Sequence, residues 1–398
     1  MHYPFPKIET INDVLPAIDG RDEFIVSNKG DYTVIDYIVN HSDTFPDYRF
    51  LHDKERDMAI MRRECRGLLF CSHSGKILSR RYHKFFNINE REEVLHNNIL
   101  FSRRHHIMTK MDGSMISAFL LNDSIKWHVY PTRPLMWATM MGITDIANDV
   151  ADYIKNTNVD YDGFALSAIE NNLTPIFEWC SPNNRIVLDY SHPQLVLTGI
   201  RHMINGTYVE YPDMAVMADH YGIPVVELSD IDDFDIVLND VKEKTDIEGY
   251  IVRFDDGHMV KLKSPWYFRI HKIKENFNFE KNAIEIILRG EIDDIVGDLP
   301  QNDANRIKRF NKDILTQIFL TADLLLDKLS HYDQEDQKQF AISVKEDPHK
   351  WFLFQLKENP SLEYAVDLII KTILKNTTTG TKVNTVRHLF GNLRWEDY

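Results

Sequence analysis

The sequence predicts an α+β fold, with a domain built on antiparallel sheets in residues 1–275 and an all-helical domain in residues 276–398. Three observations lead to this class. From residue 32 to about residue 268, apolar and polar residues alternate with period two, which is typical of half-buried strands. Two of the turns between these segments are Asn-Gly or Asp-Gly, dipeptides that favour two-residue hairpins. From about residue 280, apolar residues recur at helical spacing instead.

Four hairpins are predicted within the first domain. They pair residues 67–71 with 76–81, 115–121 with 124–129, 195–201 with 207–211, and 250–254 with 258–263. The last two have Asn205-Gly206 and Asp256-Gly257 at their turns. Helical interruptions are predicted near residues 135–155 and 211–221. Antiparallel pairs with interspersed helices are typical of the α+β class.

Two apolar stripes mark the predicted helical domain. The stripes are Ile307, Phe310, Ile314, Ile318, Ala322, Leu325 and Leu329, and then Leu362, Ala365, Val366, Ile369, Ile370 and Ile373. Because this spacing places each set on one helix face, we expect both stripes to form core. Helix breaks are predicted at Pro348, Pro360 and residues 377–380.

The composition, with 43% hydrophobic and 27% charged residues, is that of a globular protein. The first ten residues lack a basic-then-apolar signal, and no apolar run is long enough to span a bilayer. The three cysteines, Cys65, Cys71 and Cys180, are odd in number and lack paired metal spacing. This argues against a disulfide framework or a structural zinc site and favours a reducing compartment. We therefore expect a cytoplasmic protein that does not associate with a membrane.

The formal net charge of −15 argues against a protein that coats nucleic acid non-specifically. Cations nevertheless cluster close in sequence to the candidate site residues described below. The clusters are Arg62, Arg63 and Arg66; Arg80, Arg81, His83 and Lys84; Arg103, Arg104, His105 and His106; and Lys261 and Lys263. Each cluster alone is typical of a solvated face, whereas several together suggest a phosphate-binding cleft.

Residues 110–113, Lys-Met-Asp-Gly, lie between an apolar run and an alternating segment. A lysine at the tip of a strand is a compact amine that, in its neutral form, can attack a phosphoryl group and form a covalent phosphoramidate. Gly113 allows close approach of the backbone to a ligand. For this short motif alone, the alternative is a surface hairpin with a solvated Lys110.

Two predicted strands carry further charges. Lys261 and Lys263 are two residues apart and so project from one face, where the two cations repel unless an anion such as a triphosphate lies between them. The alternative is an edge strand with both lysines facing water. Glu248 precedes the partner strand, and Glu178 interrupts an apolar run. Their carboxylate oxygens suit Mg²⁺, although Glu178 could instead face solvent on a half-exposed strand.

Two upstream segments and the absence of other motifs complete the pattern. Residues 64–67, Glu-Cys-Arg-Gly, place an arginine just before a strand, and Lys84 precedes Phe85 and Phe86, which could stack on a base or belong to the core. The sequence contains no P-loop, no Gly-x-Gly-x-x-Gly and no His-Glu-x-x-His. Triphosphate chemistry would therefore need a lysine nucleophile.

Four of these motifs occur in a fixed order: residues 110–113, 177–179 (Phe-Glu-Trp), 248–249 (Glu-Gly) and 261–263 (Lys-Leu-Lys). In this order the chain resembles the covalent nucleotidyltransferases, which comprise ATP-dependent DNA and RNA ligases and mRNA capping enzymes. The resemblance implies an antiparallel-sheet nucleotidyltransferase domain, an ATP-grasp-like ligase fold, in residues 1–275.

The resemblance is closer to one branch, the bacteriophage RNA ligase 1 type. That branch has Glu-Cys-Arg-Gly upstream, here residues 64–67, and Lys-Phe-Phe-Asn, here residues 84–87. Its Phe-Glu strand continues as in residues 182–188, and its lysine strand continues as in residues 263–267. The match spans about residues 32–271, and a helical C-terminal domain is also a feature of the family.

The resemblance implies a role for each candidate residue. Lys110 would be adenylylated by ATP, and Lys261, Lys263 and Glu248 would complete the catalytic set. Nucleotide contacts are implied for Tyr37, Arg66, Lys84, Phe86, Thr109, Asp112, Gly113, Glu178 and Tyr267. Arg133 is the candidate for a basic residue that follows the first motif, although proline rather than glycine comes after it. The implied metal, Mg²⁺ with Mn²⁺ as an alternative, would be held by Glu178, Glu248, Asp293 and Asp294.

The function implied is ATP-dependent ligation of RNA. A 5′-phosphate and a 3′-hydroxyl end of single-stranded RNA or broken tRNA would be joined through a lysyl-AMP and an adenylylated RNA end. The enzyme would act as a monomer in the cytoplasm of an infected bacterial host. A DNA ligase or capping enzyme is the second hypothesis. The helical C-terminal region argues against it, because those enzymes carry an OB-fold at that place. A non-catalytic nucleotide- or RNA-binding scaffold is the third, and the intact lysine and glutamates oppose it.

Overall fold

The computed structural model describes residues 3–39, 41, 43–121, 134–277, 279–297, 299–332 and 336–398, with Asp294 described by its backbone alone. The strands are β1 (Phe24–Asn28), β2 (Tyr32–Tyr37), β3 (Leu68–Cys71), β4 (Ile77–Ser79), β5 (Phe86–Asn87), β6 (His105–Lys110), β7 (Ser114–Leu120), β8 (Leu135–Ala138), β9 (Leu173–Cys180), β10 (Gln194–His202), β11 (Gly249–Phe254) and β12 (Met259–Lys263).

The helices alternate with these strands and then continue alone. They are α1 (Leu15–Ile18), α2 (Asp53–Arg62), α3 (Asp145–Lys155), α4 (Tyr161–Glu170), α5 (Tyr211–Asp219), α6 (Phe234–Glu243), α7 (Pro265–Phe277), α8 (Glu280–Leu288), α9 (Ile292–Val296), α10 (Gln301–Ser330), α11 (Gln337–Ser343), α12 (Lys350–Glu358), α13 (Leu362–Lys375) and α14 (Gly380–Val386). This order confirms the predicted α+β class with a helical C-terminal region.

The described strands form three four-stranded sheets. Their orders are β1-β2-β3-β4, β10-β9-β7-β8 and β5-β12-β11-β6. Neighbouring strands are antiparallel except β5 and β12, which are parallel. The second and third sheets share a direct connection, because β6 ends at Lys110 and β7 begins at Ser114. The predicted nucleophile therefore lies where the chain passes from one sheet to the other.

Two of the predicted hairpins, β3 with β4 and β11 with β12, are confirmed. The hairpin of residues 195–201 with 207–211 forms only beside its turn, where Arg201 bridges Tyr208 and the His202 and Val209 N–H groups donate to Thr207 and Ile200 carbonyl oxygens. The full length of β10 pairs with β9 instead. The second arm cannot extend further, since α5 begins at Tyr211 with a proline in its first turn. Residues 124–129 of the remaining hairpin lie outside the described residues, and β7 pairs instead with β8 and β9.

The predicted helix near residues 135–155 begins later than expected. Residues 135–138 form β8, which pairs with β7, and a turn at Gly142 then precedes α3. The Thr144 side chain accepts a hydrogen bond from Ala147 N and caps this helix. The alternating pattern of β8 is short, so its pairing with β7 decides its conformation.

The chain divides into two units, Met1–Phe268 and Arg269–Tyr398. The predicted domain boundary at residue 275 and this division both fall within α7. In the second unit, every residue of the first predicted stripe is buried on α10. On α13 only Ala365, Ile369 and Ile373 are fully buried, and Leu362 is 41% exposed at the helix start.

Candidate active site

Three lysines project from one face of the sheet formed by β5, β12, β11 and β6. In the register of this sheet, Gly249 lies opposite both Lys110 and Lys263. Two residues further along β11, Ile251 lies opposite Lys261. Because directly opposite residues share a face, and so do residues two apart on a strand, all three amines emerge on the same side of the sheet.

Glu248 joins two of these lysines. Its Oε1 lies 2.7 Å from Lys110 Nζ and 3.1 Å from Lys263 Nζ. The carboxylate is almost completely buried, with an exposure of 3%. A buried carboxylate shared by two ammonium groups restrains both amines, because each forms an ion pair with the same fixed oxygen.

Glu178 lies on β9, opposite Met115 of β7, and reaches back to the first motif. Its Oε1 accepts a hydrogen bond from the Gly113 backbone N–H at 3.2 Å. Burial raises the pKa of Glu178 to about 7, and the nearby carboxylate of Glu248 adds to this rise, whereas Lys110 lowers it. Glu178 and Glu248 therefore both interact with Lys110.

A cavity of about 450 Å³ opens beside these groups. The predicted site residues that line it are Arg66, Thr109, Lys110, Gly113, Glu178 and Lys261. Apolar side chains supply much of the remaining wall, namely Phe85, Met108, Met111, Met115, Met140, Met141, Val226 and Ile251. Pockets of this volume, mostly apolar with a few convergent polar groups, are typical of sites for nucleotide-sized ligands.

The cations at this cavity lack sufficient counter-charge. Burial places the pKa of Lys261 well below its usual value, and the positive charges of Arg66 and Lys110 lower it further. The Nε and Nη1 atoms of Arg66 are buried and have no hydrogen-bond partner among the described residues. Buried donors are normally paired. The arrangement therefore suits an anion with several oxygens, such as a chain of phosphates.

The Asp112 carboxylate is held by hydrogen bonds from three other residues of the protein. Its Oδ2 accepts hydrogen bonds from the backbone N–H groups of Val187 and Leu188 at 2.8 and 2.7 Å. Its Oδ1 accepts one from the Tyr267 hydroxyl at 2.6 Å. With an exposure of 1%, Asp112 is fully engaged by protein. It therefore fastens the lysine motif to the segment after β9 and to the start of α7.

Gly113 is required by the close approach of two strands. A Cβ at this position would lie 2.3 Å from the Trp179 carbonyl oxygen. No side chain can fit there without moving the backbone of β9. Packing thus explains the Asp-Gly pair after the lysine. Asp112 joins the motif to distant segments by hydrogen bonds, and Gly113 leaves room for the backbone of β9.

Lys84 is held by aromatic residues rather than by carboxylates. Its Nζ donates to the Tyr37 hydroxyl at 3.2 Å and lies 4.7 Å from the centre of the Tyr37 ring and 5.5 Å from that of Phe86. Phe86 and Phe85 are 2% and 5% exposed and both belong to core clusters, and Phe85 also lines the cavity. The core alternative therefore applies to both rings.

The remaining predicted residues are not all brought to the cavity. Lys263 Nζ lies 5.0 Å from the ring centre of Tyr267. Asp293 is on α9 of the second unit, and nothing is described of the Asp294 side chain. Arg133 lies outside the described residues.

The carboxylates present suit a hydrated Mg²⁺ ion. Among the described residues, no group of three or more His, Cys, Asp or Glu side chains is close enough to hold a metal ion. Mg²⁺ usually keeps several waters and binds through one or two carboxylates together with substrate phosphates. Glu178 and Glu248, which both interact with Lys110, provide such a pair.

Several residues at the site carry no signal that sequence reasoning could use. Met140 and Met141 reach the cavity through the turn after β8, and Tyr190 accepts a hydrogen bond from Asp112 N at 3.1 Å. Arg81 and Asp36 are buried near Arg66, and the charge of each shifts the pKa of the other. Only the cluster of cations around residue 81 could have directed attention to this region.

Comparisons with known proteins agree with this geometry. The family model described as RNA ligase, of the phage T4 RNA ligase 1 type, matches residues 64–277. A candidate RNA ligase of Thermovibrio ammonificans is 25% identical over 81% of this chain and 80% of its own length. RNA ligase 1 of bacteriophage TS2126 is 24% identical over 60% of this chain, which spans 58% of the phage protein.

Among solved structures, an archaeal ATP-dependent RNA ligase aligns with 67% of this chain and 65% of its own, at 12% identity and a TM-score of 0.43. Among the described residues, no helix combines the length and the apolar character needed to cross a membrane. The family match covers more than half of the chain and includes every residue that lines the cavity. The protein therefore belongs to the RNA ligase family, in the branch of the bacteriophage RNA ligase 1 type.

Proposed function

We propose that this protein is an ATP-dependent RNA ligase that joins a 5′-phosphate end to a 3′-hydroxyl end through a covalent Lys110–AMP intermediate. The observation that carries the proposal is the position of Lys110. Its amine is held by Glu248 at 2.7 Å on the wall of a cavity that Arg66 and Lys261 also line. A nucleophile beside converging cations suits attack on a nucleoside triphosphate.

In the first step, the Lys110 nitrogen attacks the α-phosphorus of ATP. A nitrogen–phosphorus bond forms, the bond from the α-phosphorus to its bridging oxygen breaks, and pyrophosphate leaves with the electron pair. Glu248 already accepts a hydrogen bond from this amine and is placed to take its proton. Arg66 and Lys261 would stabilise the negative charge that develops on the phosphate oxygens.

In the next two steps, RNA replaces the lysine and then AMP is released. An oxygen of the RNA 5′-phosphate attacks the phosphorus of lysyl-AMP and frees the Lys110 amine. A 3′-hydroxyl then attacks the 5′-phosphorus of the adenylylated end, forms the phosphodiester and expels AMP. The protein contributes mainly position and electrostatics to each transfer.

Glu178 and Glu248 would hold the metal, for which we propose Mg²⁺ with Mn²⁺ as an alternative. A bound divalent cation would neutralise part of the charge on the phosphates. The raised pKa of Glu178, about 7, supports this assignment, because a carboxyl that is costly to ionise in isolation becomes favourable beside a cation.

The finer parts of the proposal rest on the family resemblance. The natural substrate would be broken tRNA, and the enzyme would act as a monomer in the cytoplasm of an infected bacterium. Residues 1–275 would form the adenylyltransferase domain and residues 276–398 a separate helical domain. On the same resemblance, we propose that ATP is contacted by Tyr37, Thr109 and Tyr267. A second metal would be held by Asp293 and Asp294.

One assay tests the central claim. The protein is incubated with α-labelled ATP or GTP and Mg²⁺, and acid-labile label on the protein is measured. We expect label from ATP in the wild type and in Lys155→Ala, a control at an exposed lysine paired with Asp152. Lys110→Ala should carry none. Label from GTP would point to a capping enzyme, and no label from either nucleotide would refute the proposal in favour of a binding scaffold.

A second measurement separates the ligases. Single-stranded RNA with a 5′-phosphate and nicked duplex DNA are offered in equal amounts to the labelled protein. We expect transfer of AMP to the RNA end and sealing of RNA. Preferential sealing of the nick would show that the protein is a DNA ligase and refute the assignment as an RNA ligase.

A further inference from the structure

The turn that presents Arg66 to the cavity is packed tightly against another cavity wall. Gly67, the next residue, has φ of +71°, a conformation that favours glycine. A Cβ at Gly67 would lie 2.8 Å from the Met140 Cα. Met140 and its neighbours in the turn after β8 also line the cavity. The contact between these two turns therefore sets the distance between two walls.

Arg81 links the two turns. Its Nη1 donates to the Gly67 carbonyl oxygen, and its Nη2 donates at 3.1 Å to the carbonyl oxygen of Ala138, the last residue of β8. The side chain is 1% exposed. One planar guanidinium therefore holds two backbone oxygens in a fixed geometry, which the single ammonium of a lysine cannot reproduce.

A buried carboxylate balances this arginine. Asp36, at 3% exposure, accepts a hydrogen bond from the Tyr37 N–H at 2.9 Å, and the Gly67 N–H also donates to it. Burial lowers the pKa of Arg81 to about 10, and the charge of Asp36 opposes that effect. Gly67 is thus held through its N–H by Asp36 and through its carbonyl oxygen by Arg81.

We propose that Arg81 is a positioning residue for nucleotide binding: by joining the Gly67 and Ala138 carbonyl oxygens, it holds the Arg66 guanidinium in the wall of the cavity, where it would bind phosphate. Arg81 does not line the cavity itself. Its effect on a nucleotide must therefore pass through the turns that it joins, and we assign that effect to Arg66. This inference rests on the proposed function, because it assigns Arg66 to the phosphates of ATP.

The test compares affinities for ligands with and without phosphates. Calorimetry measures binding of α,β-methylene-ATP, which cannot transfer its AMP, and of adenosine. We expect Arg81→Lys to weaken binding of the triphosphate about tenfold, the range for a displaced hydrogen bond to a charged group. Adenosine binding should stay within twofold. Arg387→Lys is the matched control, because Arg387 is also a buried arginine that holds a backbone oxygen, that of Leu393.

A double-mutant cycle decides whether the effect passes through Arg66. In an Arg66→Ala background, Arg81→Lys should cause no further loss of triphosphate affinity. An equal tenfold loss in both backgrounds, an equal loss for adenosine, or no loss in the wild-type background would each overturn the proposal.

Gly67→Ala gives an independent perturbation of the same contact. Its Cβ would lie 3.0 Å from Arg81 Nη1 and even closer to Met140, so we expect the same selective loss. Thermal unfolding checks that each variant folds, and failure of both to fold would make Arg81 a stability residue and refute the proposal. If the wild type binds the triphosphate no better than adenosine, the proposed function fails instead.

Discussion

Glu178 should make the free protein less stable as the pH rises, and Glu178→Gln should remove this dependence. The pKa of this carboxyl is raised from an ordinary value of 4.5 to about 7, chiefly by burial. The folded state therefore holds the proton more tightly than the unfolded state. The free energy of unfolding falls as the pH rises from about 4.5 to about 7, and the full penalty is present above that range.

The size of the effect follows from the shift. At 1.36 kcal/mol for each pKa unit, ionised Glu178 lowers the free energy of unfolding above pH 7 by roughly 3 kcal/mol. This is an upper value, because part of the Glu178 side chain is exposed to solvent, which screens the charge. A glutamine keeps the acceptor for the Gly113 N–H but carries no charge. Glu178→Gln should therefore be more stable than the wild type by up to about 3 kcal/mol at pH 8 and nearly equal to it at pH 4.5.

Thermal unfolding between pH 4.5 and 8, without nucleotide and with a chelator, measures the difference. A gain of this size corresponds to roughly 5–10 °C in melting temperature at pH 8. Glu170→Gln, at an exposed position at the end of α4, is the matched control and should show no pH-dependent gain. A difference that is constant across the pH range, or a variant that is less stable at pH 8, would refute the reasoning.

Two further changes test contacts at the lysine motif. Tyr267→Phe removes the hydroxyl that donates to Asp112, so the free energy of unfolding in urea should fall by about 1 kcal/mol. A smaller decrease, of a few tenths or less, would mean that this hydrogen bond contributes little to stability. Glu248→Gln removes the charge that holds Lys110, so the single-turnover rate of lysyl-AMP formation should fall about a hundredfold, whereas adenosine affinity should change less than twofold. A rate close to that of the wild type would exclude Glu248 as the group that positions the amine or accepts its proton.

The sequence indicated the lysine face well because that face depends on local geometry. Lys261 and Lys263 are two apart on one strand, and period two decides their direction without knowledge of the rest of the fold. The helical stripe of α10 could be predicted for the same reason, since 3.6-residue spacing fixes the buried face. The stripe of α13 is buried only in part, with Leu362 41% exposed, because the packing partner decides how much of an apolar face is covered.

Contacts between distant segments could not be predicted in this way. The carboxylate of Asp112 accepts hydrogen bonds from Val187, Leu188 and Tyr267, which only the fold brings together. The hairpin expected after β10 is confined to the residues beside its turn, because α5 begins at Tyr211 and ends the second arm. Arg81 was visible only as one member of a cationic cluster, since its two acceptors are backbone oxygens without a sequence signature.

The free site carries two electrostatic costs of opposite sign. Lys261 is pushed towards its neutral form by burial and by neighbouring cations, and Glu178 is pushed towards its protonated form by burial and by Glu248. A protein under selection for stability alone would replace both by apolar residues, because buried charges without partners are destabilising. Phosphates would supply the negative charge that Lys261 lacks, and a divalent cation would supply the positive charge that Glu178 lacks. Both costs are therefore explained if the site is complementary to a metal–triphosphate ligand. The residues that would bind this ligand destabilise the free protein.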